Sequence, residues 1–325
     1  MKGLMSPGKV LVMTSFAGFG DLLYLTPLFR FLKNLGCDLD VWSANYEPYL
    51  NNPDITNLYK FDKEKLVYPL DFYKTIFNFC EWGRIFISNI HSIDAFTMKA
   101  LNIVLRNKEK GLVFGWTPSD EASVRDLLQA NGLQPMGCHK GCDYVIVHPT
   151  ITWPSRTLPL KFYQELIAKI QHNGDKVALV GKDINMAGVK GLYPATEFPG
   201  VIDLTNKLTL AECGYLYSIS KIAVSNESGN MVLSCTNNRC WNLYIPTLTP
   251  PEFRLPWRNG DQEHLNYVAA NDDDDYPATN YKVLSEYDDL KDPPIKYPTV
   301  DKVFKAYRRI CDGGVNTGVY RDRDL

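Results

Sequence analysis

The feature that most constrains the fold of this chain is an alternation of strand and helix patterns that begins at its N-terminus. Lys9–Thr14 (KVLVMT) is a short β-branched run of the kind found in buried strands. A small-residue turn at 15–21 follows, and leucines at helical spacing then continue to about Gly36. Asp38–Ser43 (DLDVWS) has the pattern of the next strand. This order is a βαβ unit, which predicts a parallel sheet with a right-handed crossover.

The alternation continues along the chain as two series separated by a linker. The first series also has a predicted strand at 84–90 and predicted helices at 91–105 and 121–131. The second series has predicted strands at 143–148, 176–181, 200–204, 221–225 and 241–245, and predicted helices at 159–173, 209–218, 229–236 and 299–311. The segment 134–141, rich in proline and glycine, is typical of a linker. The pattern predicts an α/β fold of two Rossmann-like domains facing across a cleft, at 1–137 and 138–325.

Charge and composition favour some classes of function over others. The net charge is -2 and 45% of the residues are hydrophobic, so the chain resembles an ordinary soluble protein without a basic field for nucleic acid or anionic lipid. A local basic group (Lys99, Arg106, Lys108, Lys110) has the pattern of a solvated helix face and loop. No segment approaches the roughly 18 apolar residues of a transmembrane helix. We expect a cytoplasmic protein, with peripheral membrane contact and oligomeric state left open.

Cysteines, histidine and acidic residues are the candidate metal ligands of the chain. The eight cysteines are scattered, several within hydrophobic segments, as is usual for reduced buried thiols. Cys138, His139 and Cys142 have a zinc-like spacing, but a second ligand pair is missing. The run Asp272–Asp275, within an acidic, proline- and tyrosine-rich segment at 250–298, is more typical of a self-repelling loop than of a cation site. The sequence therefore predicts no metal site.

The first loop with functional character is Gly18-Phe19-Gly20-Asp21, which follows the first strand. Ligands of parallel sheets collect at the carboxyl ends of the strands, and glycines let the backbone approach a ligand closely. The spacing differs from the dinucleotide fingerprint, because a third glycine is missing. Asp21 at the helix start has two interpretations, a helix N-cap or a catalytic carboxylate.

The second loop precedes a predicted helix and is small and polar: Ser225, Asn226, Glu227, Ser228, Gly229 and Asn230. Free amide groups at a helix N-terminus favour an anion, so a diphosphate could bind there. A carboxylate at Glu227 would repel phosphate unless it faced ribose or sugar hydroxyls. The alternative is that this loop only caps the helix.

The third segment, at 148–156 (HPTITWPSR), follows the first strand of the second series and should face the same cleft. Arg156 offers a fixed, bidentate positive charge for phosphate oxygens. Trp153 could stack on a sugar or base, or be buried in the core. Thr152 lies beside it as a further candidate for donor binding.

Five segments in order resemble the motifs of the family 9 glycosyltransferases, which include the ADP-heptose:lipopolysaccharide heptosyltransferases. They are GFGDLLYLTPLFRFLKNLG, HPTITWPSR, VALVGKD, VIDLTNKLTL and VSNESGNM, spread over about residues 9–250. The resemblance implies the glycosyltransferase B architecture, with an acceptor domain first and a nucleotide-sugar donor domain second. It also places Gly181, Lys182 and Thr209 beside the nucleotide.

The chain departs from the family pattern mainly in the donor half. The departures are Glu227 for aspartate, Asn230 for proline, Val232 for histidine, Thr150 for glycine, Arg156 for lysine, and Thr157-Leu158 for Arg-Trp. The resemblance therefore does not identify the donor as ADP-heptose. The chain after Pro250 matches no motif of the family.

The resemblance implies an inverting, metal-independent transfer from a nucleotide-diphosphate sugar, with Asp21 as general base and Arg156 beside the departing diphosphate. The expected acceptor is a lipopolysaccharide or other surface glycan. A phage-type enzyme that glycosylates hydroxymethylated pyrimidines in DNA is the alternative, although the lack of a basic face disfavours it. A sugar-nucleotide epimerase and a non-catalytic sugar-nucleotide binder are alternatives from other classes.

Overall fold

The structure of the protein is a computed structural model, which describes residues 8–15, 18–60, 70–80, 90–134, 144–183, 190–237, 239–247, 251–256, 266–268 and 295–312. Its strands are β1 (Lys9–Thr14), β2 (Asp38–Ser43), β3 (Asn57–Lys60), β4 (Thr75–Asn78), β5 (Tyr144–His148), β6 (Lys176–Leu179), β7 (Ile202–Asp203), β8 (Ile222–Asn226), β9 (Trp241–Ile245) and β10 (Asn266–Val268). Its helices are α1 (Phe19–Leu23), α2 (Thr26–Asn34), α3 (Ser92–Leu101), α4 (Pro118–Ala130), α5 (Leu160–His172), α6 (Leu210–Ser218), α7 (Gly229–Ser234), α8 (Pro251–Arg254) and α9 (Val300–Cys311).

The strands form two sheets, and every strand pair in them is parallel. The first sheet has the order β3-β2-β1-β4, and the second has the order β7-β6-β5-β8-β9-β10. The second order is that of a dinucleotide-binding fold, in which the chain reverses direction across the sheet between β5 and β8. The first sheet has the same reversal between β1 and β4. The predicted α/β class with two Rossmann-like sheets is confirmed.

The first half differs from the prediction in three places. Strands β3 and β4 were not predicted, because each is only four residues long and partly exposed, and so lacks a continuous apolar run. The single predicted helix after β1 is divided at Tyr24 and Leu25 into α1 and α2. Pro27 has no amide hydrogen, and the hydroxyl of Thr26 donates to the carbonyl of Leu23 at 2.7 Å in place of a continuing helix bond.

Other predictions fall partly or wholly outside the described residues. They concern the strand at 84–90, the linker at 134–141, the Cys138-His139-Cys142 group and the run Asp272–Asp275. The division of the chain at residue 137 also falls there and stays a prediction. Within the described ranges, no group of His, Cys, Asp and Glu is arranged to hold a metal ion, and no helix is long and apolar enough to cross a membrane.

One hydrophobic core joins the two sheets. It contains Val12 and Leu28 from the first half and Ile146, Met231 and Tyr244 from the second, all buried. A second core lies on the other face of the six-stranded sheet, beneath α5 and α9. Because a parallel sheet must be covered on both faces, these helices complete the second half.

Two helix pairs hold the halves together: α1 packs against α7, and α4 packs against α6. Gly20 allows the first contact, because a Cβ atom there would lie 2.9 Å from the Cα of Gly229. In the second pair, Ser123 Oγ donates to Glu212 Oε1 at 2.5 Å. The carboxyl ends of β1, β5 and β8 are thereby brought to one place.

One member of the predicted basic group is not solvated. Lys110 is 5% exposed, and its Nζ lies 2.7 Å from Asp94 Oδ2, which is also buried. The prediction of a solvated face was wrong for this lysine because its charge neutralises a carboxylate of α3 inside the protein. Among the described cysteines, Cys37, Cys213, Cys235 and Cys240 are buried thiols, as predicted.

Candidate active site

Four charged side chains meet where the two sheets face each other, each just beyond the carboxyl end of a parallel strand. Asp21 follows β1, Arg156 follows β5, Glu227 follows β8, and Arg254 follows β9. Strands β5 and β8 flank the reversal point of the six-stranded sheet, where α/β folds bind their ligands. The sequence predicted three of these residues, and the fold brings them together with the fourth.

Glu227 is the centre of this charge cluster. Its side chain is 4% exposed, and its Oε1 lies 3.2 Å from Arg254 Nε and 3.7 Å from Arg156 Nη1. The two guanidinium groups balance its charge, but neither carboxylate oxygen accepts a hydrogen bond of regular geometry. A buried carboxylate of this kind retains the capacity to accept hydrogen bonds from a ligand hydroxyl.

Asp21 lies in the first turn of α1, and its Oδ1 is 3.6 Å from Arg254 Nη1. Burial raises the pKa of Asp21, while the charges of Arg254 and Arg156 oppose that rise and Glu227 adds to it. The N-cap interpretation of Asp21 was wrong. Gly18 is the N-cap residue, and Asp21 makes no capping hydrogen bond. Its carboxylate is instead directed at the charge cluster.

The sequence patterns do not predict Arg254, because the chain after Pro250 carries no recognisable motif. It ends the short helix α8, and its side chain is 9% exposed. Besides its two carboxylates it contacts Ser92, whose Oγ lies 3.4 Å from its Nη1. The available signal was an arginine among prolines and apolar residues (TPPEFRLPW), a few residues beyond a predicted strand end.

The segment at 148–156 places Arg156 and Trp153 beside Glu227. The backbone carbonyl of Arg156 accepts a hydrogen bond from Asn226 Nδ2, which ties the two loops together. Trp153 is 49% exposed, and its ring lies 5.7 Å from the Arg156 guanidinium. The core interpretation of Trp153 was therefore wrong, whereas its stacking on a ligand stays a prediction. Thr152 is half-buried and bonded locally to Thr150.

Ser228 and Asn230, in the loop before α7 and at its start, form hydrogen bonds within the protein. Ser228 caps α7 by accepting from the amide of Met231 at 3.3 Å, and its Oγ also lies 3.3 Å from His148 Nδ1. The amide oxygen of Asn230 accepts from Tyr217 Oη at 3.2 Å in the interior. Helix α7 has six residues, and diphosphate binding at its N-terminus stays a prediction.

The remaining predicted donor residues lie near the ends of β6 and α6. Gly181 has a φ of 120°, and a Cβ atom there would lie 2.8 Å from the imidazole of His148. Lys182 is exposed beside it. Thr209 is the predicted helix cap, accepting from the amide of Glu212. Burial lowers the pKa of His148 to about 3, so this imidazole is neutral near pH 7.

The glycines of the first loop have a packing role. Gly20 packs against Gly229, and a Cβ atom on Gly229 would lie 2.6 Å from the ring of Phe19. Gly18 lies next to the Asp21 carboxylate, and a Cβ atom there would be 3.0 Å from Oδ2. These contacts explain the small residues without a ligand, so their predicted donor contacts stay predictions.

Comparison with known proteins identifies the fold. No family model and no curated protein sequence matches the chain. A family 9 glycosyltransferase from Veillonella parvula DSM 2008 superposes with a TM-score of 0.65 at 13% identity, over 96% of this chain and 99% of that one. The ADP-heptose lipopolysaccharide heptosyltransferase II of E. coli superposes with a TM-score of 0.57 at 17% identity, over 94% and 99%. The glycosyltransferase TibC of E. coli superposes with a TM-score of 0.62 at 15% identity, over 95% and 77%.

The architecture of this chain is thus that of the family 9 glycosyltransferases. The resemblance carried by the five sequence segments is confirmed at the level of fold.

Proposed function

We propose that this protein is an inverting glycosyltransferase that moves a sugar from a nucleotide-diphosphate sugar to an acceptor hydroxyl. The observation that carries the proposal is the Asp21 carboxylate, which lies where the two sheets meet and beside two guanidinium groups. The glycosyltransferase fold of the similar structures supports it. The reaction that we propose needs a base with a cationic leaving-group site near it, and the charge of Arg156 acts on Asp21.

In the proposed reaction Asp21 removes the proton of the acceptor hydroxyl as that oxygen attacks the anomeric carbon. The new bond forms on the face opposite the diphosphate, the bond from the anomeric carbon to the diphosphate oxygen breaks, and the configuration is inverted. The diphosphate leaves with the electron pair. A carboxylate with a raised pKa is a stronger base than an ordinary aspartate, and burial supplies that change at Asp21.

The leaving diphosphate is proposed to bind Arg156, whose charge stabilises the negative charge that develops on it. Arg156 is held for this role by Asn226, which donates to its backbone carbonyl. A guanidinium can replace a divalent cation at such a position, so we propose that transfer needs no metal. Glu227, with unused acceptor capacity, is proposed to bind hydroxyl groups of the ribose or the transferred sugar.

The proposed acceptor is a lipopolysaccharide or another surface glycan. One similar structure is an ADP-heptose lipopolysaccharide heptosyltransferase, and the superposition with it covers 94% of this chain. The alternative of hydroxymethylated DNA finds less support, because the net charge is -2 and DNA binding depends largely on neutralising phosphates. A band shift on duplex DNA that weakens between low and moderate salt would favour that alternative.

The first experiment is a thermal-shift panel of nucleotides and nucleotide sugars in the presence of EDTA. A ligand at 100 times its Kd should stabilise the protein by about 2.7 kcal/mol. We expect a shift with one nucleotide family, which identifies the base without requiring the acceptor. If no nucleotide or nucleotide sugar shifts the transition, the donor site proposed here does not exist.

The catalytic role is tested with Asp21→Asn, using the donor identified by the panel and a mixture of deacylated lipopolysaccharides. We expect donor binding to persist and release of nucleoside diphosphate to fall by about 10²- to 10⁴-fold, since a general base contributes that much. Asp126→Asn, on the exposed face of α4, is the matched control and should keep full activity. Undiminished turnover in Asp21→Asn would exclude Asp21 as the base. Formation of an epimerised sugar without an acceptor would indicate an epimerase instead.

A further inference from the structure

Arg254 contacts both acids of the site at once. Its Nε lies 3.2 Å from Glu227 and its Nη1 lies 3.6 Å from Asp21, which belong to opposite halves of the fold. We infer that Arg254 is the positioning residue of the site: it aligns the Asp21 carboxylate with the donor loop of Glu227 and holds it in its charged form. This inference rests on the proposed function only in calling Asp21 the base.

The backbone on either side of this arginine is anchored to the N-terminal half. Tyr24 Oη donates a hydrogen bond to the carbonyl of Arg254. His91 Nε2 lies 3.0 Å from the carbonyl of Leu255. The amide of Ile93 donates to His91 Nδ1, so Nδ1 is the acceptor, and Nε2 carries the hydrogen and donates a hydrogen bond to the carbonyl of Leu255. Both His91 and Tyr24 are buried, so this anchor holds α8 in one position against α1 and α3.

These hydrogen bonds hold a segment of the C-terminal half, at Arg254 and Leu255, against residues of the N-terminal half. Arg254 follows β9, whereas Asp21, Tyr24 and His91 all belong to the first half. The guanidinium is therefore fixed relative to Asp21 by the first half, and it reaches Glu227 in the second. An arginine held in this way fixes the distance between the Asp21 and Glu227 carboxylates and also balances their negative charge.

The charges around Asp21 show what the arginine contributes. Arg254 and Arg156 face the carboxylate as cations, Glu227 faces it as a like charge, and Tyr24 and Tyr49 are its buried phenolic neighbours. Among the described side chains, two cations thus balance two carboxylates, of which Glu227 is 4% and Asp21 29% exposed. Without Arg254, one cation of the described residues would remain for two acids, and uptake of a proton would be the least costly way to restore neutrality. Glu227 would keep Arg156 at 3.7 Å from its Oε1, whereas Asp21 would lose the cation that lies 3.6 Å from its Oδ1, so Asp21 is the acid that should take up the proton.

The experiment follows Asp21 directly. Full-length protein labelled with ¹³C at the aspartate side-chain carboxyl carbon is titrated by NMR, and the Asp21 resonance is assigned as the one missing from Asp21→Asn. We expect Arg254→Met to move the Asp21 titration to higher pH, and Arg254→Lys to restore most of the wild-type midpoint. Arg106→Met, which removes an exposed arginine paired with Glu109, should leave it unchanged.

The kinetic counterpart is the pH profile of kcat/KM for nucleoside diphosphate release. In Arg254→Met we expect the acidic limb to move to higher pH together with the NMR midpoint, a change that mere destabilisation would not produce. If Arg254→Met does not fold, Tyr24→Phe serves in its place, because it loosens the backbone anchor and should shift the midpoint in the same direction.

The outcomes separate this inference from the proposed function. An unchanged Asp21 midpoint in Arg254→Met and Tyr24→Phe overturns the role of Arg254, even if Asp21→Asn abolishes turnover. A shifted midpoint in a protein that shows no turnover with any donor supports the role of Arg254 and rejects the glycosyltransferase proposal.

Discussion

Single residues of this protein owe their chemistry to burial. His91 and His148 both lie in the interior, and burial lowers the pKa of each to about 3 from an ordinary value of 6.5. Each imidazole is therefore neutral at pH 7 and serves as a hydrogen-bonding group, the first toward Leu255 and the second toward Ser228. Asp21 is affected in the opposite sense, since burial raises the pKa of a carboxyl group.

The histidines predict how stability depends on pH. In the unfolded chain each binds a proton near pH 6.5, whereas in the folded protein it binds one only near pH 3. Their stabilising contribution is complete above pH 6.5 and is lost as the pH falls toward 3, at about 1.4 kcal/mol per pH unit for each. We expect His91→Gln to lower the slope of unfolding free energy between pH 6 and 5 by about that amount.

The measurement is urea unfolding at several pH values between 7 and 5. His172→Gln, on the exposed face of α5, is the control and should keep the wild-type slope. An identical slope in His91→Gln and wild type would mean that the folded protein protonates His91 in this range.

At the level of elements, α1 and α7 approach closely because glycine lies at their crossing. A Cβ atom on Gly20 would be 2.9 Å from a backbone atom of Gly229, which cannot move without displacing α7. Gly20→Ala should therefore destabilise the protein by about 1 to 3 kcal/mol and weaken nucleotide binding, because α7 follows the loop of Glu227. Thermal unfolding and the nucleotide panel measure both effects.

The control for Gly20 is Gly132→Ala. Gly132 has a φ of 67°, and a Cβ atom there would meet nothing within 4 Å. Its replacement should cost stability through backbone strain alone and leave nucleotide binding unchanged. Equal nucleotide affinity in the two variants would mean that the α1–α7 contact does not support the site.

Helix α3 is held by the buried pair of Asp94 and Lys110, 2.7 Å apart. Burial raises the pKa of Asp94, and the hydrogen bond from Lys110 opposes that rise. Lys110→Met should destabilise the protein by about 3 to 5 kcal/mol, since it leaves a carboxylate buried without its cation. The double variant Lys110→Met with Asp94→Leu should recover most of that loss in denaturant unfolding. A double variant no more stable than Lys110→Met would show that the pair does not act through charge.

On the scale of the whole molecule, the two sheets share one hydrophobic core. Unfolding of one half would expose apolar surface of the other half to water, so neither half should unfold alone. We expect a single calorimetric transition, with circular dichroism and tryptophan fluorescence changing together. Two separated transitions would mean that the halves are independently stable, as expected for domains joined only by a linker.

The sequence by itself determined the elements whose pattern is local. The apolar runs of β1, β2, β5 and β8, and the turns after them, predicted two parallel sheets and placed Asp21, Arg156 and Glu227 at strand ends. Strand ends of one parallel sheet lie at one edge, so the pattern alone puts Arg156 near Glu227. Asp21 belongs to the other sheet and reaches them through the contact of α1 with α7. The short strands β3 and β4 escaped prediction because four residues carry too little periodicity.

Only the tertiary structure decided what these residues face. Whether Asp21 caps its own helix or faces the cleft depends on the turn at Gly18, and whether Lys110 is solvated depends on Asp94, sixteen positions away. Arg254 is held in the site by contacts with Tyr24 and Ser92, more than 150 positions earlier in the chain. A local sequence pattern cannot predict contacts over such a separation. Burial and charge at this site depend on such distant contacts, and so the sequence could propose its carboxylates but not the arginine that pairs them.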